Sequence, residues 1–163
     1  DHQVEQWILR LNWLAQTCPE LGLPMMDEEA ERALLESICL GGFGYKDIKE
    51  RPVMPHLKQW LNPTQREILA KHAPERVKLS NGKTPKLTYS REAPPYLALR
   101  IQELYDVTQL PIIAMHKAGV TAHILAPNMR PVQITQDMAG FWKDRYPDIK
   151  RELQRRYPKH AWR

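Results

Sequence analysis

Fourteen prolines in 163 residues cut this chain into short pieces. A proline fixes its own φ, removes a backbone donor and disfavours helix in the residue before it, so regular elements fit mostly between prolines. What can form is a set of short helices and strands that must pack on one another. Hydrophobic residues at 42% and charged residues at 26% are ordinary globular values, and the length suits one domain or two small ones with a real core. No apolar run approaches the roughly 18 residues that suggest a membrane span, and no signal-peptide pattern opens the chain. The sequence begins at Asp1 rather than at a methionine, which leads us to expect a piece of a longer protein.

The first half has helical periodicity. Val4, Trp7, Ile8, Leu11, Leu14 and Ala15 follow the i, i+3, i+4 rule over Val4–Gln16. Asp27, Glu28 and Glu29 put negative charge at the start of a second helix. Ala30, Ala33, Leu34 and Ile38 give that helix a buried face, and Gly41–Gly42 end it. A third helix is expected from Met54 to Leu61. Asn62–Pro63–Thr64–Gln65 then forms a capping box with proline at the first helical position, opening a helix that carries Ile68 and Leu69 and stops at Pro74. The apolar stripes of residues 1–72 look too numerous to satisfy one another, which predicts an exposed apolar patch around Trp7, Leu11 and Trp60.

After Pro74 the period changes. Val77 and Leu79, the Asn81–Gly82 turn, and Leu87 and Tyr89 predict a β-hairpin. Pro94–Pro95 is expected to start a crossing helix over Tyr96–Tyr105, with Leu97, Ile101 and Leu104 on one side. Val120, Ala122 and Ile124 pair with Val132 and Ile134 across a turn centred on Asn128. Two helices close the chain, the first after Thr135 or Asp137 and the second from Pro147–Asp148. Ile149, Leu153 and Tyr157 of the second face the core. The expected class is α+β: a helical segment over 1–74 packed on a small domain over 75–163, with about four antiparallel strands, the crossing helix and two carboxyl-terminal helices.

Charge is concentrated at the end. Phe141–Arg163 holds eight basic residues against three acidic ones, a balance of +5 that equals the formal net charge of the whole chain. Those cations are interleaved with Phe141, Trp142, Tyr146, Tyr157 and Trp162, the footprint of a surface that meets phosphates; a solvated helix face is the plainer alternative. Phe141, Trp142 and Tyr146 fit a core stripe, with Trp142 the one best placed for exposure. Other constellations carry less. Gly82–Lys83–Thr84 imitates the end of a P-loop, but Val77 stands where the first glycine belongs and a hairpin turn replaces the strand-to-helix context. Lys83 is therefore not expected to bind ATP. Asp27–Glu28–Glu29–Ala30 imitates a DEAH motif but opens a helix instead of ending a strand. His2, His56, His72, His116, His123 and His160 are scattered without metal-ligand spacing. Cys18 and Cys39 suit reduced thiols in a cytosolic protein, with a bridge between them as the alternative. No catalytic, cofactor-binding or metal-binding residue is assigned.

Arg130–Asp137 (RPVQITQD), Phe141–Trp142, Tyr146–Pro147 and Arg156–His160 (RYPKH) together resemble the carboxyl-terminal domain of HrpB-type bacterial ATP-dependent DEAH-box RNA helicases. The resemblance continues upstream through Ser80–Gly82, Tyr89, Pro95, Leu97–Leu104 and Pro111, and more loosely through Leu61–Pro74. Ala161 departs from the family pattern, and the sequence stops at Arg163 where family members run into an acidic, proline-containing tail. The resemblance implies a non-catalytic accessory region. Its motor domains, lying upstream, would bind ATP and magnesium, and RNA or single-stranded nucleic acid would be the partner. Candidate nucleic-acid contacts are the family-block residues Arg130, Lys143, Arg151, Arg156, Lys159 and His160. Lys150 and Arg155 join them from the helix face, and Trp142 as the aromatic candidate. The alternative is a protein-interaction module using the apolar amino-terminal helices, without nucleic-acid contact.

Overall fold

The computed structural model describes residues 2–40 and 53–163, and the chain divides into two compact units. The first comprises residues up to Ala73 together with Tyr89–Arg91; the second comprises Pro74–Thr88 and Glu92–Arg163.

In the first unit, α1 (His2–Thr17) buries Trp7, Leu11, Leu14 and Ala15 along the stripe its periodicity dictates. Its polar side chains then tie down irregular chain. The Gln6 amide donates to Tyr89 O and accepts from Tyr89 N–H, both at 2.9 Å. The Asn12 amide does the same with Met26, at 2.8 and 2.7 Å. Each amide stands in for a neighbouring strand, so backbone groups with no ladder of their own are satisfied. Buried Arg10 donates to Ala73 O, the residue that ends the fourth helix. Asp27 accepts from Ala30 N–H at 2.7 Å and starts α2 (Glu28–Leu40). Two short helices follow, α3 (Met54–Trp60) and α4 (Pro63–His72), and both bonds of the Asn62–Gln65 capping box are made.

Two expectations for this unit are corrected. Trp7 and Leu11 are 4% and 0% exposed, so they belong to the core and not to an open patch, while Trp60 is half-buried. Ala33 is exposed; on α2 it is Ile38 that is buried. The Gly41–Gly42 stop and the Cys39 side chain lie outside the described residues.

In the second unit, residues 75–87 form the expected hairpin, with Val77, Leu79 and Leu87 buried. Its ladder is thin: Arg76 and Lys86 form a single bridge, and Pro85 has no N–H to give, though its carbonyl accepts from Val77 N–H. The crossing helix is absent. Tyr96–Arg100 is a strand, β1, and Ile101–Leu104 is one tight 3-10 turn. The misleading spacing divides between them: Leu97 is buried from the strand, Ile101 and Leu104 from the turn. Strand pairing outweighs the helix preference of Leu and Ala here, because β1 gains a partner on both sides. It runs parallel to β4 (Thr121–Leu125), and Tyr96 exchanges both backbone bonds with Thr88.

Before β4 comes a two-stranded hairpin, β2 (Ile112–Ile113) with β3 (Ala118–Gly119), turned by Ala114, Met115 and His116, all left-handed at φ 55, 58 and 62°. Beyond it β5 (Pro131–Thr135) pairs antiparallel with β4, completing a sheet of order β1-β4-β5. The α+β class therefore holds, with a parallel pair where an all-antiparallel arrangement was expected.

The two closing helices are one continuous run. Asp137 accepts from Gly140 N–H at 2.9 Å and caps α5 (Met138–Gly140); a π-helical segment, Phe141–Arg145, leads into α6 (Tyr146–Arg156). Pro147 has no N–H and would crowd the carbonyl four residues back in an α-helix. Widening to a π turn accommodates it, so the proline does not break the run. The wider turn also brings Phe141 and Tyr146 to the same side, and both are buried.

Candidate nucleic-acid interface

The terminal run is fixed by a node at Glu103–Val107. Tyr105, Phe141, Trp142 and Tyr146 form an aromatic cluster with ring centroids 5.0 to 6.3 Å apart. The Trp142 indole N–H donates to Val107 O at 2.7 Å. Trp142 is thus half-buried, the most open of the Phe141, Trp142 and Tyr146 stripe, with its polar atom engaged. The Tyr105 and Tyr146 hydroxyls meet at 2.9 Å; the first also reaches Ala161 O at 2.8 Å and the second Arg163 O at 2.9 Å. The two hydroxyls carry one proton each, so two of these three contacts are hydrogen-bonded at any moment. Burial, then the Tyr105 hydroxyl, raises the Tyr146 pKa, keeping it a neutral phenol able to donate. The Arg163 guanidinium bonds Asp106 at 2.8 Å and lies 5.0 Å from the Tyr105 ring centroid, so the chain end is clasped onto the cluster.

The hairpin tip joins the same node. Asn81 Nδ2 donates to Glu103 O at 3.0 Å and Tyr105 O at 3.1 Å, and its Oδ1 accepts from Lys83 N–H at 3.1 Å. Gly82 sits at φ 88°, where a side chain would be strained, and its N–H goes to Leu79 O. The amides of Gly82 and Lys83 are therefore turned inward, and the Gly82–Lys83–Thr84 tip is no phosphate cradle. Sequence reasoning missed Asn81, Tyr105 and the clasp at Ala161–Arg163. The Asn–Gly signal marked the turn, but nothing local announces which carbonyls its amide will reach.

Outside this framework stand the cations. Lys143, Arg155, Arg156, Lys159 and His160 are exposed, and Lys150 is half-buried on the flank of α6 nearest the core. Among the described residues, Lys143, Lys150, Arg155, Arg156 and Lys159 form no ion pair or side-chain hydrogen bond. Arg151 is exposed but paired with Asp148. By helical periodicity Arg151 and Arg155 lie one turn apart opposite Leu153, whereas Arg156 falls on the other flank beside Glu152. Arg130 is exposed on the β4–β5 turn, separate in the chain from the terminal run that carries the rest. Among the described residues no three His, Cys, Asp or Glu side chains are grouped to hold a metal ion. No helix there is long and apolar enough to cross a membrane.

A model of the ATP-dependent helicase carboxyl-terminal family, HrpB, matches residues 35–163. The chain belongs to this family. The ATP-dependent RNA helicase HrpB of Escherichia coli (strain K12) is 32% identical over 164 residues, covering 98% of this chain. A crystal structure of the E. coli DExH-box NTPase HrpB superposes with a TM-score of 0.83 at 32% identity over 98% of this chain. Another, of the E. coli DEAH/RHA helicase HrpB, gives 0.73 at 31% identity over 97%. The chain spans 20% of the length of each relative. Several residues that carry the HrpB resemblance, Asn81–Gly82, Leu104, Trp142 and Tyr146, are the ones that build the node. They hold the domain together, and Lys143, Arg155, Arg156 and Lys159 stay exposed outside that framework.

Proposed function

We propose that this chain is the non-catalytic carboxyl-terminal accessory region of a bacterial, cytoplasmic ATP-dependent RNA helicase. It holds RNA or single-stranded nucleic acid by its phosphates and docks on motor domains of the same protein, which bind ATP and magnesium. The observation that carries the proposal is the set of exposed, unpaired cations along the terminal run, Lys143, Arg155, Arg156 and Lys159. An exposed cation that forms no ion pair has none to surrender when it meets a phosphate. Arg151 must first leave Asp148, so it contributes less.

Salt dependence tests this. If about three to five phosphates of a single strand are neutralised, log affinity falls with log salt at a slope of roughly −2 to −3.5. Replacing Arg155 and Arg156 together with alanine flattens the slope by about one unit. Arg151→Ala flattens it less. An unchanged slope in the double variant removes the phosphate contact. It would favour the interaction-module reading, for which the observation is apolar surface in the first unit: Met25 is 46% and Leu35 39% exposed. Apolar docking is nearly indifferent to salt.

A further inference from the structure

The three-stranded sheet has one packed face and one that is open along its central row. Leu97, Ala122 and Ile124 are all 0% exposed on the packed side. Pairing register fixes the other. Ala98 of β1 is opposite His123 of β4, which is opposite Ile134 of β5, and residues paired across strands share a face. Tyr96 and Arg100, two positions either side of Ala98, point the same way. Ala98 and Arg100 are exposed, Tyr96 and His123 half-buried, and Ile134 is 58% exposed, whereas Thr121 and Leu125, at the two ends of β4 on this face, are buried, so the opening is its central row. The Tyr96 and His123 rings stack, with centroids 3.8 Å apart and planes 4° from parallel.

A solvated sheet face is ordinarily filled by polar side chains. This one offers an aromatic pair and an exposed isoleucine, with alanine as low ground between the rings and the Arg100 guanidinium. Arg100 pairs with Glu103 at 2.8 Å, an exposed contact weak enough to exchange for a phosphate. The unit around it carries fifteen basic residues against eight acidic ones, so its charge suits a polyanion.

We infer that this open face is a stacking platform for the bases of single-stranded nucleic acid, with a base seated over Ala98 against the Tyr96–His123 rings and a backbone phosphate on Arg100. Rings on an open sheet face suit unstacked bases of any identity, because every base has a π-face. Burial lowers the His123 pKa, which favours the neutral ring and keeps the stack apolar. The platform rests on the nucleic-acid reading above and adds base contact to a surface that otherwise meets phosphates alone.

The test uses residues 1–163 intact and two labelled probes followed by fluorescence anisotropy: an oligouridylate of about twelve nucleotides and an abasic oligomer of the same length. Tyr96→Leu removes the ring, and Ala98→Leu fills the low ground. Each is expected to weaken oligouridylate binding about five-fold or more, with the salt slope and the abasic affinity unchanged. Ala98→Leu adds atoms at an exposed position, so it carries the test if Tyr96→Leu fails to fold. Wild-type affinity for oligouridylate in a folded variant of each kind overturns the platform and leaves the face to a protein partner. Equal weakening of both probes also overturns it, because the substitution then acts through the fold. If the Arg155→Ala, Arg156→Ala variant flattens the salt slope while these two change nothing, only the platform fails. If the wild type binds neither probe, the phosphate reading fails with it.

Discussion

The first unit, with nine basic and eleven acidic residues, and the second, with fifteen and eight, solve the same packing problem in opposite directions. Both contain chain with no regular structure whose backbone groups need partners. In the first, a long helix reaches outward: Gln6, Arg10 and Asn12 of α1 go to the backbones of Tyr89, Ala73 and Met26. In the second, an irregular stretch receives: the carbonyls of Glu103, Tyr105 and Val107 collect Asn81 from the hairpin and Trp142 from the terminal run. A helix of sixteen residues can carry clamps at several heights, whereas in the second unit the hairpin and the terminal helical run meet at a shared node. Much of the polar and aromatic chemistry of the second unit is therefore structural. Its surplus cations are left to the surface.

The sharpest way to break that contrast is to remove an aromatic from the node. Trp142→Ala deletes a packed ring and leaves Val107 O without its donor. It is expected to destabilise the second unit by about 3–5 kcal/mol, the usual loss for a large aromatic in a core. Trp60→Ala, equally half-buried but with no hydrogen bond or ring contact among the described residues, should cost clearly less. Urea unfolding of both variants measures this. Near-equal small losses would mean that Trp142 behaves as a surface residue, and would strengthen it as a nucleic-acid candidate.

A smaller effect is expected at the hairpin tip. Asn81→Ala strands the carbonyls of Glu103 and Tyr105 together, and part-buried groups left unpaired cost about 1–3 kcal/mol. Gln6→Ala is its counterpart in the first unit, opening one donor and one acceptor of Tyr89. Hydrogen exchange should place the loss for Asn81→Ala at residues 103–107. Protection unchanged there would show that the node stands on the aromatic cluster alone.

Periodicity and capping made the helices legible, since those signals are local: the stripe of α1, the Asp27 start and the Asn62–Gln65 box all lie within a few residues. The turn at Asn81–Gly82 and the pairing across Asn128 were legible for the same reason. What failed depends on partners far away in sequence. Leu97, Ile101 and Leu104 have helical spacing, and only the pairing of Tyr96–Arg100 with residues 121–125 makes the first of them a strand residue. Pro147 marks the start of a separate helix by local rules, yet a π turn absorbs it. Among the candidate contacts, exposure of the lysines and arginines other than half-buried Lys150 followed from their type. The engagement of Arg151 by Asp148 and of Trp142 by Val107 did not, because each depends on a rotamer or a long-range carbonyl.

The smallest effect expected concerns pH, and it tests whether the open sheet face differs from ordinary solvated surface. Burial lowers the His123 pKa below the ordinary histidine value of about 6.5. The groups facing it are the Tyr96 ring and, beyond Ala98, Arg100 on β1, with uncharged Ile134 on β5. No carboxylate in that row favours the imidazolium. With the folded pKa below the unfolded one, the unfolded chain binds more protons as pH falls from about 6.5, so stability drops with falling pH and levels off below the folded pKa. Above neutrality the contribution is fully present. Other histidines and the carboxylates titrate as well, so the informative quantity is a difference: the urea midpoint of wild type minus that of His123→Gln, followed from pH 7.5 to pH 5.5. The wild type should lose more than the variant over that range, by a modest amount because the ring is only half-buried. Parallel curves would mean that the imidazole is as well hydrated as any surface histidine, and that the Tyr96 stack does not shield it.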